Sequence, residues 1–176
     1  TMMPDVMRCL KHDLAELSPD FILATGDISS HPTRDAMFAA RDLMDSLRVP
    51  YYPMGGNHDF VVENSRKWFL EAFHAQLPSK RTYYSFDHKN IHFAVLDPWW
   101  KLSDGSLSQV SEVAVAAEQN KTLDAARWEL PADQLSWLRA DLEAHGDRPC
   151  IVSCHFPAVA LPERRQRPGL KNAGRL

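Results

Sequence analysis

Apolar residues recur at helical spacing along the first segment. Val6, Leu10, Leu14 and Leu17 fall together, with Lys11, Asp13 and Glu16 on the other side. This spacing predicts an amphipathic helix, ended at Ser18-Pro19 because proline disfavours helical backbone in the residue before it. Phe21–Thr25 follows as an unbroken apolar run, the signature of a short buried strand, and Gly26-Asp27 turns off its end. Thr33 is placed to cap a helix reaching about Leu47, with Ala36, Phe38, Ala39, Leu43 and Leu47 as its apolar surface. Val49–Met54 then reads as a second short buried strand. Helix, strand, helix, strand in this order predicts parallel strands joined by helical crossovers.

A further helix is expected over 64–76, where Trp68, Phe69, Ala72 and Phe73 share a face. The period then changes. Thr82–Phe86 and Ile91–Leu96 flank the turn segment Asp87–Asn90 and predict a β-hairpin. Ser103–Leu130 is polar and alanine-containing without a firm period, and reads as an insertion with one short helix. Pro131-Ala132-Asp133-Gln134 opens a helix that turns Leu135, Leu138 and Leu142 inward with Trp137 beside them, ending near His145-Gly146. Cys150–Cys154 reads as another buried strand, running straight into His155-Phe156-Pro157. The last segment, 161–176, carries Arg164, Arg165, Arg167, Lys171 and Arg175 with little apolar content and reads as a loop or tail. The chain shows no internal repeat and reads as one α/β domain over 1–176.

Composition narrows the class without naming a function. With 176 residues, 44% of them hydrophobic and 24% charged, the chain can bury a core and does not resemble a disordered segment. A net charge of -3 argues against an extended nucleic-acid surface. No apolar run reaches the length of a membrane span and no signal-peptide pattern opens the chain. Position 1 is Thr, so a processed or truncated start is expected. Cys9, Cys150 and Cys154 form no metal motif, and the last two lie too far apart along a strand to be bridged. Buried reduced thiols are expected, which favours a cytoplasmic location.

Three polar clusters follow three of these strands. Asp27 comes through one glycine, Asn57-His58-Asp59 through Gly55-Gly56, and His155 directly after Cys154. Open α/β sheets place their chemistry at the carboxyl ends of strands. If the three strands are parallel neighbours, the clusters meet in one crevice at one sheet edge. A carboxylate, a carboxamide oxygen and an imidazole together suit borderline divalent ions such as Mn, Fe, Zn or Co. A purely oxygen-lined Mg or Ca site would not need His155. Each residue also has a plain structural reading: Asp27 as a turn residue, Asn57 as a left-handed turn residue, His58-Asp59 as a solvated pair, His155 as a core histidine. Their joint order favours the metal site. His31 beside Asp27, the remaining histidines, Trp99-Trp100 and the tail arginines are expected to be surface or core residues.

Gly26-Asp27, Gly55-Gly56-Asn57-His58-Asp59 and Ser153-Cys154-His155-Phe156-Pro157 appear in the order of three signatures of the calcineurin-like metallophosphoesterases, which this chain resembles. The resemblance implies a metallophosphoesterase-like sandwich of two mixed β-sheets flanked by helices, and a dinuclear centre hydrolysing a small phosphate ester. Among members it looks similar to the small bacterial-type phosphodiesterases and phosphatases. Asp27 would bridge two divalent ions, and Asn57 and His155 would bind the second ion. His58 would steady the phosphoryl oxygens or protonate the leaving alkoxide, with Asp59 orienting its imidazole.

Two signatures are missing. The family opens on a strand ending in Asp-x-His and closes on Gly-His-x-His, and neither Asp-x-His nor His-x-His occurs in these 176 residues. The expectation is therefore a fragment, incomplete at both ends, holding at most one ion well and inactive alone. The alternative is a non-catalytic scaffold or binding domain with a degenerate metal site.

Overall fold

The computed structural model describes residues 4–29, 33–60, 62, 64–98, 100–103, 106–109, 129–156 and 158. Helix α1 spans Pro4–Leu17, β1 Ile22–Ala24, α2 Arg34–Asp45, β2 Tyr51–Pro53 and α3 Ser65–Ala72. These are followed by β3 Tyr84–His88, β4 Ile91–Leu96, β5 Trp100–Ser103, β6 Ser106–Gln109, α4 Ala132–Ala144 and β7 Cys150–Cys154.

The expected βαβ unit is present. β1 and β2 pair in parallel, Ile22 with Tyr51 and Ala24 with Pro53, and α2 connects them. The Thr33 hydroxyl accepts the Ala36 N–H at 3.2 Å, the N-cap that the sequence implied. The buried face of α2 lies one residue round from most of the expected one: Met37, Ala40 and Met44 are buried and Ala39 is exposed, while Leu47, just past the helix, is buried as expected. Phe38 is held on the flank, with the Arg34 and Arg41 guanidinium groups over its ring. In α1, likewise, Met7, Leu10 and Leu14 face the core, and Val6 and Leu17 are exposed.

A second sheet has the order β3-β4-β7, antiparallel then parallel, so it is mixed. The hairpin turns over Lys89-Asn90, with Lys89 at φ +53°, where two-residue loops favour a left-handed residue. Aromatic side chains join the two sheets. Tyr52 of β2 stacks on Phe86 of β3, which stacks in turn on Phe93 of β4, and Phe21 meets all three edge-on. The Tyr84 hydroxyl donates to the Pro53 carbonyl at 2.8 Å, tying the end of β2 to the start of β3. Phe60, Phe69 and Phe73 close the core beneath α3, with Leu96, Leu130 and Leu138 completing it.

Three expectations are corrected. β7 is not a buried strand: Ile151 is 44% exposed and Val152 43%. Among the described residues it pairs only with β4, which leaves it an edge. The thiols are unpaired as expected, but Cys9 and Cys150 are exposed and Cys154 is half-buried. Part of the supposed insertion is the antiparallel hairpin β5–β6, Trp100 opposite Gln109. The overlooked signal was Asp104-Gly105, a common hairpin pair. Residues 110–128, and with them the expected short helix, lie outside the described residues, as do His31, Trp99 and the tail 161–176. No helix among the described residues is long and apolar enough to cross a membrane.

Candidate metal centre

Thr25-Gly26-Asp27 leaves β1 in a conformation that only this sequence tolerates easily. Gly26 has φ +99°, and a side chain there would collide with His155 Nδ1. Asp27 is itself left-handed at φ +54°, an uncommon state for a residue with a Cβ. Opposite, a Cβ on Gly56 would run into Asp27 Oδ1 and the His155 ring. The glycines therefore let two backbone turns and one imidazole crowd into a single spot.

Three donor atoms meet there. His155 Nε2 lies 3.1 Å from Asn57 Oδ1 and 3.5 Å from Asp27 Oδ1. The ring's other nitrogen, Nδ1, sits 2.8 Å from the Thr25 carbonyl oxygen, an acceptor only, so it carries the proton there. Asp27 Oδ1 also accepts the His58 backbone N–H at 3.0 Å. Burial would raise the Asp27 pKa, but His155 and the His58 N–H outweigh it and hold the carboxyl below its ordinary value. Asp27 in turn raises the His155 pKa, against the opposing effect of partial burial. The expectation of three parallel neighbours at one sheet edge is corrected. His155 arrives from β7, in the β3-β4-β7 sheet, while Asp27 and Asn57 follow β1 and β2. The clusters meet between two sheets.

Comparison with known proteins identifies the family. The family model for calcineurin-like phosphoesterases matches residues 3–173. This chain belongs to the calcineurin-like phosphoesterase family. It is 27% identical over 152 residues to the glycerophosphodiester phosphodiesterase GpdQ of Enterobacter lignolyticus, covering 85% of this chain and 46% of that protein. It is 23% identical to a 3',5'-cyclic-nucleotide phosphodiesterase of Nostoc sp., covering 84% of the chain and 46% of the relative. A probable glycerophosphodiester phosphodiesterase of Arcobacter nitrofigilis is 22% identical, with 88% and 48% covered. The chain thus spans about half the length of the curated relatives it matches.

The donor set fits the divalent ions that calcineurin-like phosphoesterases use. Facing two oxygens, Nε2 either carries a proton of its own, which Asp27 favours, or presents its lone pair to a cation standing among them. The Nδ1 hydrogen bond to a backbone carbonyl is the usual device for presenting the other nitrogen to a metal. Asp27, Asn57 and His155 could together offer an ion two oxygens and one nitrogen.

Asp59 lies elsewhere than its expected role requires. It is 0% exposed, and its oxygens accept the N–H groups of Gly56 at 2.8 Å, Ser29 at 2.8 Å and Ile28 at 3.2 Å. Burial pushes its pKa up to about 6, partly offset by those three N–H donors. The carboxylate staples the Asp27 loop to the Gly55–Asp59 turn instead of reaching the His58 ring. His58 is exposed, on the open side of that turn.

A second cluster escaped the sequence reading. Asp87, His92 and His145 bring donor atoms within 4.8 Å of one another. Asp87 and His92 face each other across the β3–β4 hairpin, and α4 lays Asp141 and His145 against them. The readable signals were the hairpin register and the i,i+4 spacing of Asp141 and His145. What was not readable was that helix and hairpin meet. His92 pairs with Cys150 and Leu96 with Cys154. His155 therefore lies roughly 16 Å of strand from this cluster.

Proposed function

We propose that this chain supplies part of the dinuclear centre of a phosphodiesterase acting on a small phosphate ester. The observation that carries the proposal is the convergence of Asp27 Oδ1, Asn57 Oδ1 and His155 Nε2, with His155 oriented by the Thr25 carbonyl. In this reading Asp27, Asn57 and His155 would hold divalent ions of the Mn, Fe, Zn or Co class, with Asp27 the carboxylate shared between them. When bound, such ions would supply charge neutralisation for displacement at phosphorus and activation of water. His58, exposed beside them, meets the phosphoryl oxygens or gives a proton to the departing alkoxide. Asp59 serves the same step indirectly, by fixing the turn that carries Asn57 and His58.

The two missing signatures belong to this proposal. The remaining ligands come from sequence beyond these residues, and the chain by itself holds one ion and turns over poorly. Relatives about twice as long support that reading. A phosphodiester, as against a monoester, is favoured by the activities that the relatives are named for. A cytoplasmic setting is part of the same reading and rests on three unpaired cysteines.

The test uses the protein that carries this chain together with Asp-x-His and Gly-His-x-His, assayed with Mn2+ and an aryl phosphodiester. His58→Ala is expected to lower kcat by about 10²–10⁴-fold with metal content retained. Asn57→Ala is expected to lower metal occupancy. Unchanged turnover in both variants would overturn the assignment.

A further inference from the structure

The His92 cluster has more order than an ion pair requires. His92 is 2% exposed, and its Nε2 stands 2.7 Å from Asp141 Oδ2. The other Asp141 oxygen accepts the Ser85 hydroxyl at 2.8 Å, so this carboxylate is held in place as an acceptor. Nε2 therefore carries a proton, and Nδ1 points at Asp87 Oδ1, 2.7 Å away. His145 is fixed in a related way. Its Nδ1 stands 2.7 Å from the Asp141 carbonyl oxygen, which can only accept, leaving Nε2 with the lone pair. One residue, Asp141, thus orients two imidazoles, through its carboxylate and its carbonyl.

We propose that Asp87, His92 and His145 form a second, structural divalent-cation site of the zinc class, which clamps the β3–β4 hairpin to the C-terminal end of α4. Two imidazole nitrogens and a carboxylate oxygen are a zinc-type donor set. An N–H···O contact behind each ligating imidazole is the outer shell such sites use. A proton between His92 and Asp87 would satisfy that one pair; an ion would in addition engage the lone-pair nitrogen of His145, which otherwise caps the helix and stacks on His92.

Loading requires a small movement that the surroundings permit. Ligand bonds of about 2.0–2.2 Å place two donors of a tetrahedral site roughly 3.3 Å apart, so Asp87 must withdraw from its 2.7 Å contact. Asp87 is 46% exposed on the hairpin, and Arg148 Nη1 holds its second oxygen at 3.2 Å. The His145 ring, stacked on His92 at 3.9 Å, must rotate so that its Nε2 meets the ion in the ring plane. It lies half-buried at the C-terminal end of α4.

The experiment separates this site from the family's centre by working in a His155→Ala background. The full 176-residue chain is stripped with chelator, reloaded with Zn2+, passed through gel filtration, and assayed for bound zinc and Tm. The expected result is about one zinc per chain retained in the His155→Ala protein, with a raised Tm. Adding His145→Gln or, separately, Asp87→Ala abolishes both the retained ion and the rise in Tm, while the circular dichroism of the metal-free chain is unchanged. Both substitutions fall on partly exposed side chains and leave the His92–Asp141 contact in place. Asp141→Asn is expected to weaken zinc binding by about 10–100-fold. Zinc that fails to bind in the His155→Ala background, or that binds equally well after both His145→Gln and Asp87→Ala, overturns the proposal.

Discussion

His92 and His155 stand at opposite ends of the β4–β7 pair, and each has one nitrogen committed to an oxygen. At His155 that oxygen is the neutral Thr25 carbonyl, and the other nitrogen faces Asn57 and Asp27 in a half-open crevice. At His92 it is a carboxylate, and the free side is closed by a second carboxylate and a stacked imidazole. The same side chain is thus presented in two ways. A neutral acceptor orients the ring without fixing its charge, leaving room for substrate-side chemistry. Two carboxylates at 2.7 Å demand a cation and leave little space for anything else. In the proposed reading, one end of the sheet exposes a site and the other holds the fold together.

The strongest test of this contrast is Asp59→Ala. It removes the acceptor for the N–H groups of Gly56, Ser29 and Ile28, the first two buried, and losing these hydrogen bonds costs about 2–4 kcal/mol in sum. Metal binding at the Asn57 turn is expected to disappear, while the His92 end keeps its own. Denaturant melts alongside metal titrations of the His155 and His145 sites would check it. A stability loss under about 1 kcal/mol would mean that Asp59 is not the staple inferred from its contacts.

Gly56→Ala follows in size. The new methyl group would enter the space of Asp27 Oδ1 and the His155 ring, and overpacking of this kind costs about 1–3 kcal/mol. Weakened metal binding is expected at the turn alone. Equal weakening at the His92 cluster would show that the two ends are coupled through the sheet.

How much of this was legible depends on range along the chain. The Thr33 cap, the β1-α2-β2 unit and the hairpin follow from local spacing, and local spacing is written in consecutive residues. The α2 face was misplaced by one residue because Ala36, Ala39 and Ala40 weigh equally in a pattern, whereas Met37 and Met44 fill more of the core. The pairing of β7 with β4 is not encoded near either strand, so the sheet that delivers His155 could not be read. Asp27, Asn57 and His155 were legible because strand-end glycines and their order mark them. The Asp59 staple was hidden because its partners include backbone atoms of Ile28 and Ser29, whose N–H groups every sequence carries. The His92–Asp141 contact joins residues 49 apart and has no local trace.

A smaller effect concerns pH in the chelator-treated chain. Burial disfavours a charged His92, but Asp141 and Asp87 outweigh it and raise its pKa above the ordinary 6.5. The groups facing it are Asp87, Asp141 and His145, with Arg148 behind Asp87. A folded-state pKa above the unfolded one means that the native chain binds more protons in that window. The contribution is therefore complete below about pH 6.5 and is lost as pH rises through the elevated value. Asp141→Asn is expected to flatten this slope, measured as Tm against pH. A slope unchanged by that substitution would assign the dependence to His155, whose pKa is raised in the same direction.

The gentlest probe uses two thiols that lie one at each end of the same strand. Cys150, opposite His92, is exposed, with its sulfur near the Arg148 and His145 carbonyls. Cys154, beside His155, is half-buried, and burial pushes its thiol up to about 12. Because the thiolate is the reactive form, a maleimide or disulfide reagent at neutral pH should modify Cys154 on the order of tenfold more slowly than Cys150. Mass spectrometry of timed digests reads both positions in one sample. Zinc at the His92 cluster would draw the end of α4 and the hairpin together and slow Cys150 further, leaving the Cys154 rate unchanged. Slowing at Cys154 instead would place the ion beside His155, and the contrast between the two ends would collapse into a single metal site.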